Sequence, residues 1–185
     1  MPVRSVVRAH PQVRFWSIAL GLYLLWWAGY EHLLRPDGRL DAVLSGQVAR
    51  AAAWGLRVCG FAAAIAPGHP TLVTMAGEPA VVIEAPCNGL VLYALFAGFV
   101  LAQPANGRRK GWFIALGIGT LYLVNVVRVM ALALNHTYWY HTVDFNHHYT
   151  FTIVAYVIIL ALWVWWTRQP AVPSSPAAHG QPAVY

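Results

Sequence analysis

Charge is what this chain has least of. Only 10% of its 185 residues are Asp, Glu, Lys or Arg, against about 25% in a typical soluble domain. That scarcity argues against a solvated globular surface. Cysteine is almost as scarce. Cys59 and Cys87 are the two present, with no CxxC pair, which excludes a disulfide scaffold and a zinc-finger framework. One Cys59–Cys87 disulfide is the remaining option in an oxidising compartment. A small-x-small cleavage site is missing before Glu31. The apolar run after Arg4, Arg8 and Arg14 therefore reads as an uncleaved membrane helix, not a signal peptide. No internal repeat is visible.

What is abundant fits a membrane. Hydrophobic residues make up 59% of the chain, in blocks, and mean hydropathy is +0.54. Nine Trp and nine Tyr suit a protein with two headgroup interfaces to line. Net charge is +6, but the cations lie in short segments between apolar blocks. That pattern sets membrane orientation and offers no clustered face for nucleic acid.

The blocks predict an all-α integral membrane protein. Its expected architecture is a four-transmembrane-helix bundle with an interfacial helix and a small extracytoplasmic hairpin. Residues 1–14 form a cytoplasmic tail, and 15–168 a single membrane domain. The spans fall at about 15–34, 88–102, 112–134 and 149–166. Residues 169–185, rich in Pro, Ala and Ser, read as a disordered cytoplasmic tail. The extracytoplasmic segment is 35–87. Within it, 41–66 is Ala- and Leu-rich but carries Arg50 and Arg57 on nearly one face, so it reads as lying at the interface. Alternation around Gly77-Glu78-Pro79 predicts a hairpin of Leu72–Met75 with Ala80–Glu84. Four spans, and not five, place the N-terminal arginines, Arg108-Arg109-Lys110 and Arg168 together on the inner side.

This topology gathers chemistry at the outer face. Cys87 stands at the outer entrance of the second span, where the first N–H groups of a helix favour a thiolate. Arg128 lies in the third span, about 9 Å below its outer end. A charge there costs about 2.5–3.5 kcal/mol on insertion scales, which points to a use: favouring the thiolate or holding an oxyanion. Asn125, one turn earlier, is placed to orient Arg128 or to donate a second hydrogen bond. His147 and His148 open the fourth span. One of them is a candidate general base toward Cys87, with Asp144 or Asn146 available to orient its ring. Adjacent helical residues diverge by about 100°, so only one can face the site. His136 and His141 read as ordinary loop histidines. Cys59, in an Ala-rich helix, reads as a packing residue. The histidines and Asp144 lack a helical His-x3-His pair, so no metal is expected, and no cofactor.

From about Ile83 to Trp166 the chain resembles the exosortase/archaeosortase family of membrane cysteine transpeptidase-like enzymes. The resemblance rests on Cys87-Asn88-Gly89-Leu90 opening a span and on the short basic loop that follows. Asn125-Val126-Val127-Arg128 in the next span and a histidine opening the last complete it. Asn88 stands where many members carry Ser or Thr, and the chain is compact beside long exosortases. The resemblance implies a catalytic Cys87, Arg128 and His147, the last selected by the aromatic Phe151 four residues on, with His148 as the alternative. It implies cleavage of C-terminal sorting signals of exported proteins at the outer face of the cytoplasmic membrane. Each signal comprises a short motif, a transmembrane helix and a basic tail. Partners would then be these substrates, membrane lipids and a glycan or lipid acceptor. The alternative reading is a non-enzymatic membrane anchor or assembly subunit whose His-rich outer loop binds haem or quinone. A structural protein with a Cys59–Cys87 disulfide is a third.

Overall fold

The computed structural model describes residues 11–139 and 151–168. These are mostly helical, with one small sheet. Helix α1 (Pro11–Trp26) runs without a break into a π-helical stretch, Trp27–Leu34, and one further turn, Arg35–Asp37. The wider π turn, a form frequent at functional sites, contains Tyr30, which is buried and stacks on Trp26 at 4.3 Å between ring centroids. Gly38, at φ +67°, then reverses the chain. Its N–H closes the first helix on the Leu34 carbonyl, and its own carbonyl accepts from Ala42 to start α2, Arg39–Val58. This corner brings Asp41 back alongside Tyr30.

Helix α2 buries Ala49, Ala52, Ala53 and Leu56, a stripe at helical spacing. The three alanines leave room for close approach to helix α4 (Gly107–Tyr138), which meets them with Val126, Val129 and Ala133. The helix expected over 41–66 therefore stops earlier, at Val58. The reason is local. Phe61 N–H reaches back to the Leu56 carbonyl, with Gly60 at φ +88° between them.

Past that stop the chain forms a strand. β1 (Ala63–Ile65) pairs antiparallel with β2 (Leu72–Met75), and β2 with β3 (Glu78–Val82), giving the order β1-β2-β3. The expected hairpin is thus two strands of a three-stranded sheet, and the all-α expectation is corrected. Ala-rich sequence favours helix, but ladder hydrogen bonds to β2 override that weak preference. Val73, Met75 and Ile83 close the core beneath the sheet.

Helix α3 (Leu90–Ala102) packs on α4 and on α5 (Phe151–Arg168) through Tyr93, Phe96, Val100, Phe113, Leu121 and Ile159. Asn106 begins α4 by accepting from the Arg108 N–H at 3.1 Å. At 32 residues, α4 is about 48 Å long. Among the described residues it is the one helix long and apolar enough to cross a membrane; the 13-residue α3 is shorter than the span expected over 88–102. The tails expected at 1–14 and 169–185 lie largely outside the described residues.

Candidate functional site

The site is built on the turn between β3 and α3. Pro86 favours a tight turn, and Ala85–Cys87 forms one turn of 3-10 helix in which Cys87 N–H donates to the Glu84 carbonyl at 2.9 Å. Gly89, at φ +87°, is the residue that lets the chain swing into α3. A side chain there would also meet the Tyr93 hydroxyl at 2.5 Å, so both conformation and space require glycine. Cys87 therefore lies three positions before the first residue of the α-helix instead of opening it. The orphan N–H of Leu90 is already taken by the Asn88 side-chain oxygen at 2.9 Å. That first helix N–H therefore serves the Asn88 side chain and not the thiol.

The Arg128 guanidinium stands beside the thiol, its Nη2 3.8 Å from Cys87 Sγ. Among the described residues the buried Arg128 Nε has no hydrogen-bond partner, a costly state for a guanidinium and a donor in reserve. Asn125, one turn earlier on α4 and 5% exposed, does not orient Arg128. Its Nδ2 donates to the Cys87 main-chain carbonyl at 2.9 Å. One helix face thus holds the cysteine twice, by its backbone and beside its sulfur. Neither cysteine is in a disulfide, and Cys59 is exposed.

Asn88 has the second role in the site. Only 1% exposed, it donates from Nδ2 to Asp41 Oδ1 at 2.6 Å. The Tyr30 hydroxyl lies 3.1 Å from both oxygens of the same carboxylate and donates to it. Asp41 is 6% exposed, and among the described residues no cation pairs with it. A buried carboxylate held by neutral donors is expensive and needs its hydrogen bonds. Here they tie the turn after Cys87 to α2 and to the π-helical stretch. From sequence Tyr30 reads, with Trp26 and Trp27, as an aromatic marking the membrane interface, and Asp41 only as the start of a helix; the fold instead buries both. The one available signal was an acidic residue between Leu40 and Ala42 in a chain with six acidic residues.

Beside the thiol is a cavity of about 190 Å³, lined by Ala80 to Ile83 on one side and by Arg128, Val129, Leu132 and His136 on the other. It is smaller than the roughly 300–1,000 Å³ of pockets for drug-sized ligands, so a haem or quinone does not fit at this place. His136, read from sequence as a loop residue, belongs to α4 and shares the cavity with Cys87 and Arg128. His147 and His148, with Asp144 and Asn146, lie outside the described residues. Among the described residues no cluster of three His, Cys, Asp or Glu could hold a metal ion.

Comparison with family models, curated proteins and solved structures returned no match.

Proposed function

We propose that this chain is a membrane-embedded cysteine peptidase or transpeptidase of the exosortase type. It would act on C-terminal sorting signals of exported proteins at the outer face of the cytoplasmic membrane. The observation that carries the reading is the approach of the Arg128 guanidinium to within 3.8 Å of the Cys87 sulfur, in a small, mostly apolar cavity. A thiol beside a cation and partly removed from water is the environment of a reactive cysteine. The four-span arrangement belongs to the same proposal. It is supported by large apolar side chains exposed along the helices, such as Trp16 and Leu20 on α1, Leu123 on α4, and Ile153 and Leu160 on α5.

In the proposed reaction the Cys87 thiolate attacks the scissile carbonyl and forms a C–S bond, and the carbonyl π electrons move onto oxygen. Arg128 holds that oxyanion, as a preorganised cation does in a low-dielectric site. Asn125 keeps the Cys87 backbone fixed while the sulfur changes partners. The oxyanion collapses, the C–N bond breaks, and His147, which took the proton from the Cys87 thiol, passes it to the leaving amine. Water or a glycan or lipid acceptor then takes the acyl group from the thioester and regenerates the thiol. Arg108, Arg109 and Lys110 would face the cytoplasm and fix orientation.

The test is Cys87→Ala in the native host, with the C-terminal trimming of a protein that carries a motif, a transmembrane helix and a basic tail as readout. Trimming is expected to stop while the variant accumulates in the membrane. Normal trimming would end the proposal.

A further inference from the structure

Four consecutive residues, Ala80, Val81, Val82 and Ile83, line one wall of the cavity beside Cys87. Side chains alternate between faces along a strand. A cavity touched by four in a row therefore runs along a strand edge and not over one face. β3 is such an edge, since the sheet order is β1-β2-β3.

The ladder also tells which peptide groups point outward. Ile83 N–H donates to the Thr71 carbonyl at 3.0 Å, so Ile83 is bonded toward β2. Leu72, which stands opposite Val82, gives its carbonyl to Ala66 N–H at 3.0 Å, on the β1 side. Leu72 and Val82 are thus a non-hydrogen-bonded pair, and the N–H and C=O of Val82 turn away from β2. Pro79, earlier in β3, has no N–H to offer. The edge that can accept a new strand is the half nearest Cys87. Facing it is α4, with Val129 and Leu132 forming an apolar wall.

We propose that this slot between the β3 edge and α4 is a peptide-binding groove. An extended segment of substrate adds to the sheet as a fourth strand, exchanges main-chain hydrogen bonds with Val82, and seats one uncharged apolar side chain against Val129 and Leu132. The proposal deepens, and rests on, the peptidase reading of the site. In strand addition, main-chain bonds supply grip whatever the sequence, and pockets select alternate side chains. The cavity of about 190 Å³ suits a single side chain and not a bulky group.

The experiment uses the full chain in detergent and two probes with the same reactive group, chloroacetone and acetyl-Val-Ala-Val chloromethyl ketone. Labelling at Cys87 is read against labelling at the exposed Cys59 by peptide mass spectrometry, so intrinsic reactivity cancels. The Cys87:Cys59 ratio is expected to rise about tenfold or more with the tripeptide, the gain of one or two net hydrogen bonds. It should fall back when the tripeptide amides are N-methylated, and in Val82→Pro. That substitution removes an outward N–H and spares the Ile83–Thr71 bond. An unchanged ratio, or one indifferent to N-methylation, overturns the groove; the N-methyl arm needs no variant to fold. If host trimming stops in Cys87→Ala while the ratio stays flat, the peptidase reading stands and the groove falls. If the ratio rises while trimming in Cys87→Ala is normal, the groove stands as a peptide site and the peptidase reading falls.

Discussion

Asn88 Nδ2 donates to Asp41 Oδ1 at 2.6 Å, both residues buried and 47 positions apart in the chain. The residue directly after the candidate nucleophile is thereby anchored to the start of a different helix, and through Tyr30 to a third element. Asn88 is a strut as well as a cap, which accounts for an amide at this position. Its two ends do different work, with Oδ1 serving Leu90 and Nδ2 serving Asp41. A serine or threonine hydroxyl is too short to span both.

The strut predicts an order of damage. Asn88→Ala leaves Asp41 with Tyr30 alone and should cost about 1–3 kcal/mol. Asn88→Asp keeps the shape but sets a second carboxylate against Asp41, and is expected to be worse at neutral pH because like charges repel. Thermal unfolding of the two variants in detergent measures this. Equal stability of the two variants at neutral pH would remove the strut.

Arg128→Lys should abolish most processing while leaving the protein folded. Lysine retains the charge but not the planar fork that can meet an oxyanion while keeping Nη2 near sulfur. Removing an oxyanion donor typically costs about 10²–10³ in turnover. Processing near wild type in the host would reduce Arg128 to a membrane-interface anchor.

Two imidazoles compete for the proton-transfer role. His147→Ala is expected to cut trimming by about 10²–10⁴, the range for a general acid–base group. His136→Gln should retain most activity, because His136 lines the cavity from α4 as a wall residue. Measured side by side, the reverse order would transfer the role to His136.

Gly117 sets the contact between α3 and α4. A Cβ there would come within 2.0 Å of Phe96 Cε1, inside a ring that is fully buried. Gly117→Ala is therefore expected to destabilise by about 1–3 kcal/mol, the usual cost of overpacking. Phe96→Leu in the same chain should recover part of that loss. Unfolding midpoints of the single and double variants decide it, and no destabilisation by Gly117→Ala would mean the helices separate freely.

Several features were legible in the residues alone. Period and breakers located α1, α3, α4 and the β2–β3 turn, because hydrophobic blocks and Gly/Pro punctuation act locally. Cys87, Asn125 and Arg128 stood out as polar groups in apolar surroundings, where an unpaired polar side chain is costly. The partners of those groups were not legible. Sequence places Asn125 to orient Arg128 or to donate a second hydrogen bond; only the fold shows it donating to the Cys87 carbonyl. Cys87 was expected to open the helix, yet Gly89 and the Asn88 side chain do so. His136 was assigned to a loop and belongs to α4, at the cavity. Strand β1 reads as helix from sequence, since three residues are too few to carry a periodic signal.

What the amino-acid order determined by itself is therefore an apolar, mostly helical chain with a few polar groups too expensive to be accidental. Local propensity and transfer free energy suffice for that. Which polar group meets which was decided only by the tertiary structure. The Gly38 corner returns Asp41 to Tyr30, the alanine stripe brings α2 against α4, and the turn after β3 lays Cys87 beside Arg128. Each depends on how closely two helices approach and on the direction of a turn. Those quantities belong to the packed molecule and to no stretch of it.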